Sequence, residues 1–353
     1  MLNRDAIVGC ILGTAVGDAL GLPYEDLSFR RGQRLLGEPD LHRLLFGRGL
    51  VSDDTEHTCV VAQALILAGN DESAFTYYLG RQLRRWFWAL PTTAGMATLR
   101  AGMKLSLGVS PARSGVFSAG NGPSMRSAIL GVAIQDLDQL RKWVSISSRA
   151  THTDPKADYA AYAVALAAHD AAAGTLGTGD DYLARLRVGL RNEGASELIQ
   201  LLEQAVASAQ RGESPREFAS SLGLARGVSG YCYHTVPVAL QAVFRYSGDV
   251  RRGVPDVIRC GGDTDSLAAV VGCILGAQTG RAGIPEEWLR GIVDRPRSVR
   301  WMERLAVQLG EVRETGHPQR ALRLPIGEII ARNSLVLFVI LGHGFRRCLP
   351  PYC

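Results

Sequence analysis

Helical periodicity runs through nearly the whole chain, and it narrows the choice of folds more than any other feature. Residues 56–68, 73–88, 158–173, 195–209 and 236–246 repeat apolar side chains at three- and four-residue spacing, in Ala-rich stretches of good helix formers. The predicted helices break at Gly69-Asn70-Asp71, at Ala89-Leu90-Pro91 and near residues 174–181, 211–215 and 280–285. There Gly, Pro and Asn stop one helix and a small polar residue caps the next. Their regularity points to antiparallel neighbours. Alternating β-branched runs bounded by tight turns are nearly absent, and the one Val- and Ile-rich apolar run lies near the C-terminus. The expected fold is all-α, a compact multi-helix bundle in which abundant Ala and Gly allow close helix approach and polar groups project inward from helix ends. No fixed-period repeat and no linker-like stretch divides the 353 residues, so one large domain is expected.

Composition excludes several function classes. With 46% hydrophobic and 21% charged residues, the chain can bury a sizeable core. The net charge of +5 comes from dispersed cations, nearly all Arg, with Lys only at 104, 142 and 156. That pattern argues against a dedicated nucleic-acid surface. Seven Cys without a CxxC pair indicate neither a disulfide framework nor a thiolate zinc site, and fit a reducing cytoplasmic setting. Asp18 and repeated Gly residues interrupt the apolar N-terminus before signal-peptide or membrane length is reached. The apolar run at residues 334–342 has about half the length needed to cross a bilayer. It is expected as a buried C-terminal helix or a subunit contact, and no transmembrane segment is expected.

Two acidic segments carry the chemistry. Ser52-Asp53-Asp54-Thr55 follows a Gly-containing loop and leads into an apolar helix. Ser52 with Thr55, or Asp53 with Glu56, has the spacing of a helix cap, and capping and metal ligation both remain open for this segment alone. Gly261-Gly262-Asp263-Thr264-Asp265-Ser266 precedes a second apolar helix. Two carboxylates two residues apart at a helix start cannot both cap it, and the helix dipole offsets only part of their repulsion, so a bound divalent cation is the economical neutraliser. Together the segments offer carboxylates and hydroxyls, an oxygen set suited to Mg²⁺, Mn²⁺ or Ca²⁺ rather than zinc. Two such ions bridged by shared carboxylates would orient a hydroxyl-bearing substrate and activate water.

At these segments the chain resembles the ADP-ribosylglycohydrolase family. The resemblance rests on Gly13-Thr14-Ala15-Val16-Gly17-Asp18-Ala19-Leu20-Gly21 followed by Glu25, on both acidic segments, on Gly120-Asn121-Gly122-Pro123-Ser124-Met125-Arg126, on Thr151-His152 and on residues 227–235, which include Tyr231. It covers about residues 5 to 310 and implies an all-α domain over 1–312 with a binuclear metal cleft, leaving 313–353 as a C-terminal extension. It implies two Mg²⁺, with Mn²⁺ as a substitute, held by Ser52, Asp53, Asp54, Asp263, Asp265 and Ser266. Glu25 would gate the site or act as acid/base with Asp53, Asp54 and Asp265. Gly120, Asn121, Gly122, Met125, Arg126, His152 and Tyr231 would contact substrate, the Gly-rich turn cradling a diphosphate. The implied function is hydrolytic removal of ADP-ribose from an ADP-ribosylated protein or other target, by metal-assisted cleavage of the C1″ bond. One departure stands out: arginine-specific bacterial relatives carry an acid where this chain reads Pro91-Thr92-Thr93-Ala94-Gly95, which puts arginine-linked substrates in doubt. The competing readings are a non-catalytic, crystallin-like or ADP-ribose-binding member, and a two-metal phosphohydrolase of other lineage.

Overall fold

The computed structural model describes residues 2–191 and 194–346. The fold is all-α, as the periodicity predicts, and among the described residues β pairing is confined to isolated bridges. Eight helices carry the core and the site: α1 (Arg4–Gly21), α2 (Asp53–Ala68), α3 (Glu72–Trp88), α4 (Pro155–Ala173), α5 (Cys232–Arg245), α6 (Thr264–Thr279), α7 (Val299–Thr315) and α8 (Ile326–Arg346). The predicted helix at 195–209 forms as Ser196–Gln210. Helices α2 to α5 each begin a little before the predicted stretch, because a cap rather than the first apolar residue sets a helix start. Ser52, Asp71 and Asp154 accept the N–H groups of Asp54, Ala74 and Lys156 in this role. Pro155 then supplies a preset first turn for α4, and Gly174 closes it in the left-handed conformation.

One helix pair sets the position of the site. Helices α1 and α6 lie antiparallel and almost backbone to backbone, because Gly recurs every fourth residue where they meet. A Cβ on Gly13 would stand 2.0 Å from the Gly272 carbonyl oxygen, and one on Gly276 would stand 2.2 Å from that of Gly9. Side chains at these positions would force the helices apart. The contact continues to the end of α1, where a Cβ on Gly21 would meet the Thr264 carbonyl oxygen at 2.4 Å. The last turn of α1 and the following Glu25 are therefore fixed beside Asp263–Ser266. Helix α2 packs on α1, α3 and α7, and α4 packs on α5 and α6.

The C-terminal region departs from expectation. Helix α7 runs through residue 312 to Thr315, and a loop leads to α8. The apolar run, expected as a short buried helix or a subunit contact, belongs to this 21-residue helix. Its outer face is open, with Leu335, Phe338, Leu341 and Phe345 being 57%, 71%, 58% and 66% exposed. The side facing the domain buries Ile329, Arg332, Asn333 and Val336, with Val336 packed on Leu22, Leu44 and Leu50, so apolar packing and hydrogen bonding together seat the helix. By length and composition alone α1 and α8 are both long and apolar enough to cross a membrane, and α1 is wholly buried in the core. Residues 347–353 of the extension, with Cys348 and Cys353, lie outside the described residues. Cys10, Cys59, Cys232, Cys260 and Cys273 are buried free thiols.

Candidate active site

The two acidic segments, separated by more than two hundred residues, meet at the floor of a cavity of about 610 Å³. Ser266 at the start of α6 donates to Asp54 Oδ2 at the start of α2 (3.2 Å), and Ser52 Oγ donates to the same oxygen (3.1 Å). Ser52 thus caps α2, through the Asp54 N–H, while its hydroxyl still faces a carboxylate. Glu56 takes no part in a capping box. It is buried among Trp86, Arg297 and Arg332. On α6, Asp263 occupies the cap position but its side chain accepts no N–H of that helix. It accepts instead from Asn121 Nδ2 (2.7 Å), while Asp265 Oδ1 accepts the Ser266 N–H (2.9 Å).

The acids are crowded and short of counter-charge. Burial first, then repulsion from Asp18, Asp53 and Asp263, pushes Asp54 well above the usual carboxylate range. Burial and then Glu25, Asp54, Asp263 and Asp18 do the same to Asp265. Burial also raises Asp53 well above that range, against a hydrogen bond from Thr93, and raises Asp263 against bonds from Asp265, Asn121 and Ser266. Among the described residues none of these four carboxylates has an ion-pair partner. Asp54 Oδ1 is buried with no hydrogen-bond partner among the described residues. Among the described residues no three His, Cys, Asp or Glu side chains are already drawn into a finished metal-binding group.

Not every expected residue reaches the cavity. Glu25, Asp53, Asp263, Asp265, Ser266, Gly120, Asn121, Gly122, Met125 and His152 line it. Ser52 and Asp54 sit just beneath, each 1% exposed. Arg126 does not line it. Its guanidinium is fully buried behind the Gly-rich turn, bonded to the Gly122 and Ser147 carbonyls and to the Ser147 and Thr151 hydroxyls. Tyr231 stands outside the lining, where Lys156 Nζ donates to its hydroxyl (3.0 Å). Its backbone neighbours nevertheless shape the site, since Asn121 N–H donates to the Gly230 carbonyl (2.9 Å) and Cys232 N–H to that of Ala119 (2.9 Å). The His152 ring lies against the turn, so that a Cβ on Gly122 would come within 2.9 Å of it. Burial and then the Arg126 charge hold His152 down to about 3, which makes it a neutral wall rather than a proton donor. The helical segment after the turn has only four residues, Gly122–Met125.

Two residues without a predicted role hold the floor in place. Asp18 accepts the Ser52 N–H on both oxygens (2.9 Å each) and the Thr55 N–H (3.2 Å), and it also accepts the Thr55 hydroxyl. Despite these bonds burial raises it to about 6. A lone charge within the apolar run of α1 was the available signal. Thr93 Oγ1 accepts the Asp53 N–H (3.2 Å) from across the cavity wall, in the segment where the chain departs from its arginine-specific relatives.

An all-α cleft floored by acids from two distant helix starts defines a class of hydrolase site, and the comparisons name it. The sequence profile of the ADP-ribosylglycohydrolase family matches residues 2–319, and the chain belongs to that family. An uncharacterized protein from Archaeoglobus fulgidus is 34% identical over 86% of this chain and 95% of its own length. The ADP-ribosyl-[dinitrogen reductase] glycohydrolase of Rhodospirillum rubrum is 26% identical over 81% of this chain and 90% of its own. The chicken (Gallus gallus) ADP-ribosylhydrolase ARH3 is 25% identical over 79% and 87%. A solved ADP-ribosylglycohydrolase-related protein complex superposes with a TM-score of 0.64 and 26% identity, over 88% of this chain and 98% of that one. Family and named relatives support an ADP-ribosylglycohydrolase activity.

Proposed function

We propose that the chain is a Mg²⁺-dependent hydrolase that frees ADP-ribose from an ADP-ribosylated protein by cleaving the C1″ glycosidic bond. The observation that carries this reading is the floor of the cavity: three buried carboxylates and the half-buried Asp263 from two helix starts, with one oxygen of Asp54 left without a partner among the described residues. Buried charge of this kind is stable only when paired or bound to metal. The donor set fits hard cations, being oxygen throughout. Ser52, Asp53, Asp54, Asp263, Asp265 and Ser266 are the residues that would hold two Mg²⁺, or Mn²⁺ in their place, after small side-chain rotations. Bound there, such ions supply orientation of the ribose hydroxyls and polarisation of water.

The chain's own groups do the rest. The cavity is of ordinary size for a small-molecule ligand, and its wall of Gly120, Asn121, Gly122 and His152 is held rigid by Asp263, Thr235 and Thr151. A rigid wall fixes the sugar for attack at C1″. Glu25, half-buried on the rim, takes up the proton of the attacking water as the oxocarbenium-like state develops and passes it to the target oxygen that leaves C1″. Thr93, holding the Asp53 backbone, stands where an acid would engage an arginine-linked target, which favours a hydroxyl-linked one. The test is release of ADP-ribose from modified proteins of defined linkage, in EDTA and again with Mg²⁺. Mg²⁺-restored release of ADP-ribose is expected. Undiminished release in EDTA would overturn the cation requirement, and free phosphate in place of ADP-ribose would overturn the chemistry.

A further inference from the structure

We infer that α8, outside the stretch matched by the family, braces the catalytic floor through Arg332 and Asn333, and that Arg332 is a positioning residue for Ser52, Asp53 and Asp54. The inference rests on the reading of those residues as cation ligands. The Arg332 guanidinium has five N–H donors and makes five hydrogen bonds. Two go to Asp294 Oδ2, one to Glu56 Oε1 (2.9 Å), one to Asn333 Oδ1 (2.9 Å) and one to the Val51 carbonyl. Val51 immediately precedes Ser52, and its N–H donates to Asp294 Oδ2 (3.2 Å). Both polar groups of the peptide entering the acidic segment are therefore tied to the Arg332–Asp294 pair. On the helical side, Glu56 follows Asp53 and Asp54 by less than one turn and is gripped by Arg297 Nη1 (2.7 Å) and Trp86 Nε1 (2.6 Å) as well.

Asn333 reaches the opposite wall. Its Nδ2 donates to the Ala89 carbonyl (2.7 Å), where the loop to Thr93 begins, and Thr93 in turn holds the Asp53 N–H. Adjacent residues of α8 thus fix both chain segments between which Asp53 is suspended. All members are buried, with Arg332 at 8%, Arg297 at 5% and Asp294, Glu56 and Asn333 at 2% or less exposed. The geometry needs a planar fork. A lysine ammonium at 332 keeps the charge but cannot bridge Val51, Asp294 and Glu56 at once.

Magnesium titration by calorimetry separates bracing from mere anchoring. The variants are Arg332→Lys and a charge-balanced Arg332→Met/Asp294→Asn, which removes both charges and retains an acceptor for the Val51 N–H. Both are expected to keep the helical circular-dichroism spectrum and to bind Mg²⁺ about 10–100-fold more weakly, the range found when an outer partner of a metal ligand is lost. Phe338→Ala, on the exposed face of the same helix, is expected to bind as the unaltered chain does. A folded variant that binds Mg²⁺ as tightly as the unaltered chain, with only its melting temperature in EDTA reduced, would reduce Arg332 to a structural anchor and overturn the brace. If the unaltered chain itself takes no Mg²⁺, the ligand reading falls and the brace with it. Loss confined to the variants supports both.

Discussion

Two groups of buried acids lie on either side of the first turn of α2, and they are built in opposite ways. Glu56 and Asp294 are enclosed by Arg297 and Arg332, so the protein supplies its own cations. Asp53, Asp54 and Asp265 are buried as well, with Asp263 half-buried beside them, but among the described residues these four have no such partner. A carboxylate kept from water costs several kcal/mol unless its charge is met. The first group is therefore complete as folded, and the second is complete only with something added. Burial alone does not separate a structural acid from a working one; the supply of counter-charge does.

The sharpest way to break this contrast is to remove an acid from each side. Asp54→Ala or Asp265→Ala is expected to lower ADP-ribose release by at least about a thousandfold, because the several kcal/mol that a bound cation contributes to charge stabilisation are lost. The fold should remain, since each change relieves crowding. Near-normal release by either variant would place those acids with Glu56. Glu56→Ala should do the opposite, leaving the buried Arg297 guanidinium without its carboxylate and Arg332 with Asp294 alone, and costing roughly 3–5 kcal/mol in chemical denaturation. An unshifted denaturation midpoint would erase the difference between the two groups.

The smallest effect is on stability against pH. Without a cation, burial raises the folded-state pKa of Asp18 to about 6 and holds those of Asp53, Asp54 and Asp265 well above the usual carboxylate range. Between the unfolded and folded values the native chain binds more protons than the unfolded one, so stability must fall as pH rises through that window. Thermal melts in EDTA should therefore drop as pH rises from about 4, the unfolded Asp pKa, through about 6, where Asp18 ionises in the folded chain. Saturating Mg²⁺ should raise the neutral-pH value, by about 2.7 kcal/mol at a hundredfold excess over its dissociation constant. Melting that rises with pH in EDTA would mean that the acids of the floor are already compensated.

Local physics made much of this legible. Apolar spacing marked the helices, and Asp263 and Asp265, too close to cap one helix together, announced a charge problem. The ends of the helices were less visible, since a cap such as Asp154 acts through a single hydrogen bond that spacing alone does not reveal. Arg126 was misjudged because a charged residue beside a Gly-rich turn reads as a ligand contact, whereas its guanidinium faces Ser147 and Thr151 and holds the turn from behind. For α8, the apolar run suggested burial, but most of it faces outward, and Arg332 and Asn333 share the buried side with Ile329 and Val336.

The sequence by itself determined the all-α class, the placement of the main helices and the oxygen-rich character of the acidic segments, because each follows from contacts within a few residues. Only the tertiary structure decided that Ser266 would reach Asp54, that Asp18 would hold Ser52 and Thr55, and that Arg332 would find Glu56 rather than Asp53. Those pairings depend on two Gly-lined helices meeting backbone to backbone and on a C-terminal helix returning to the start of α2, distances along the chain over which no local pattern carries information.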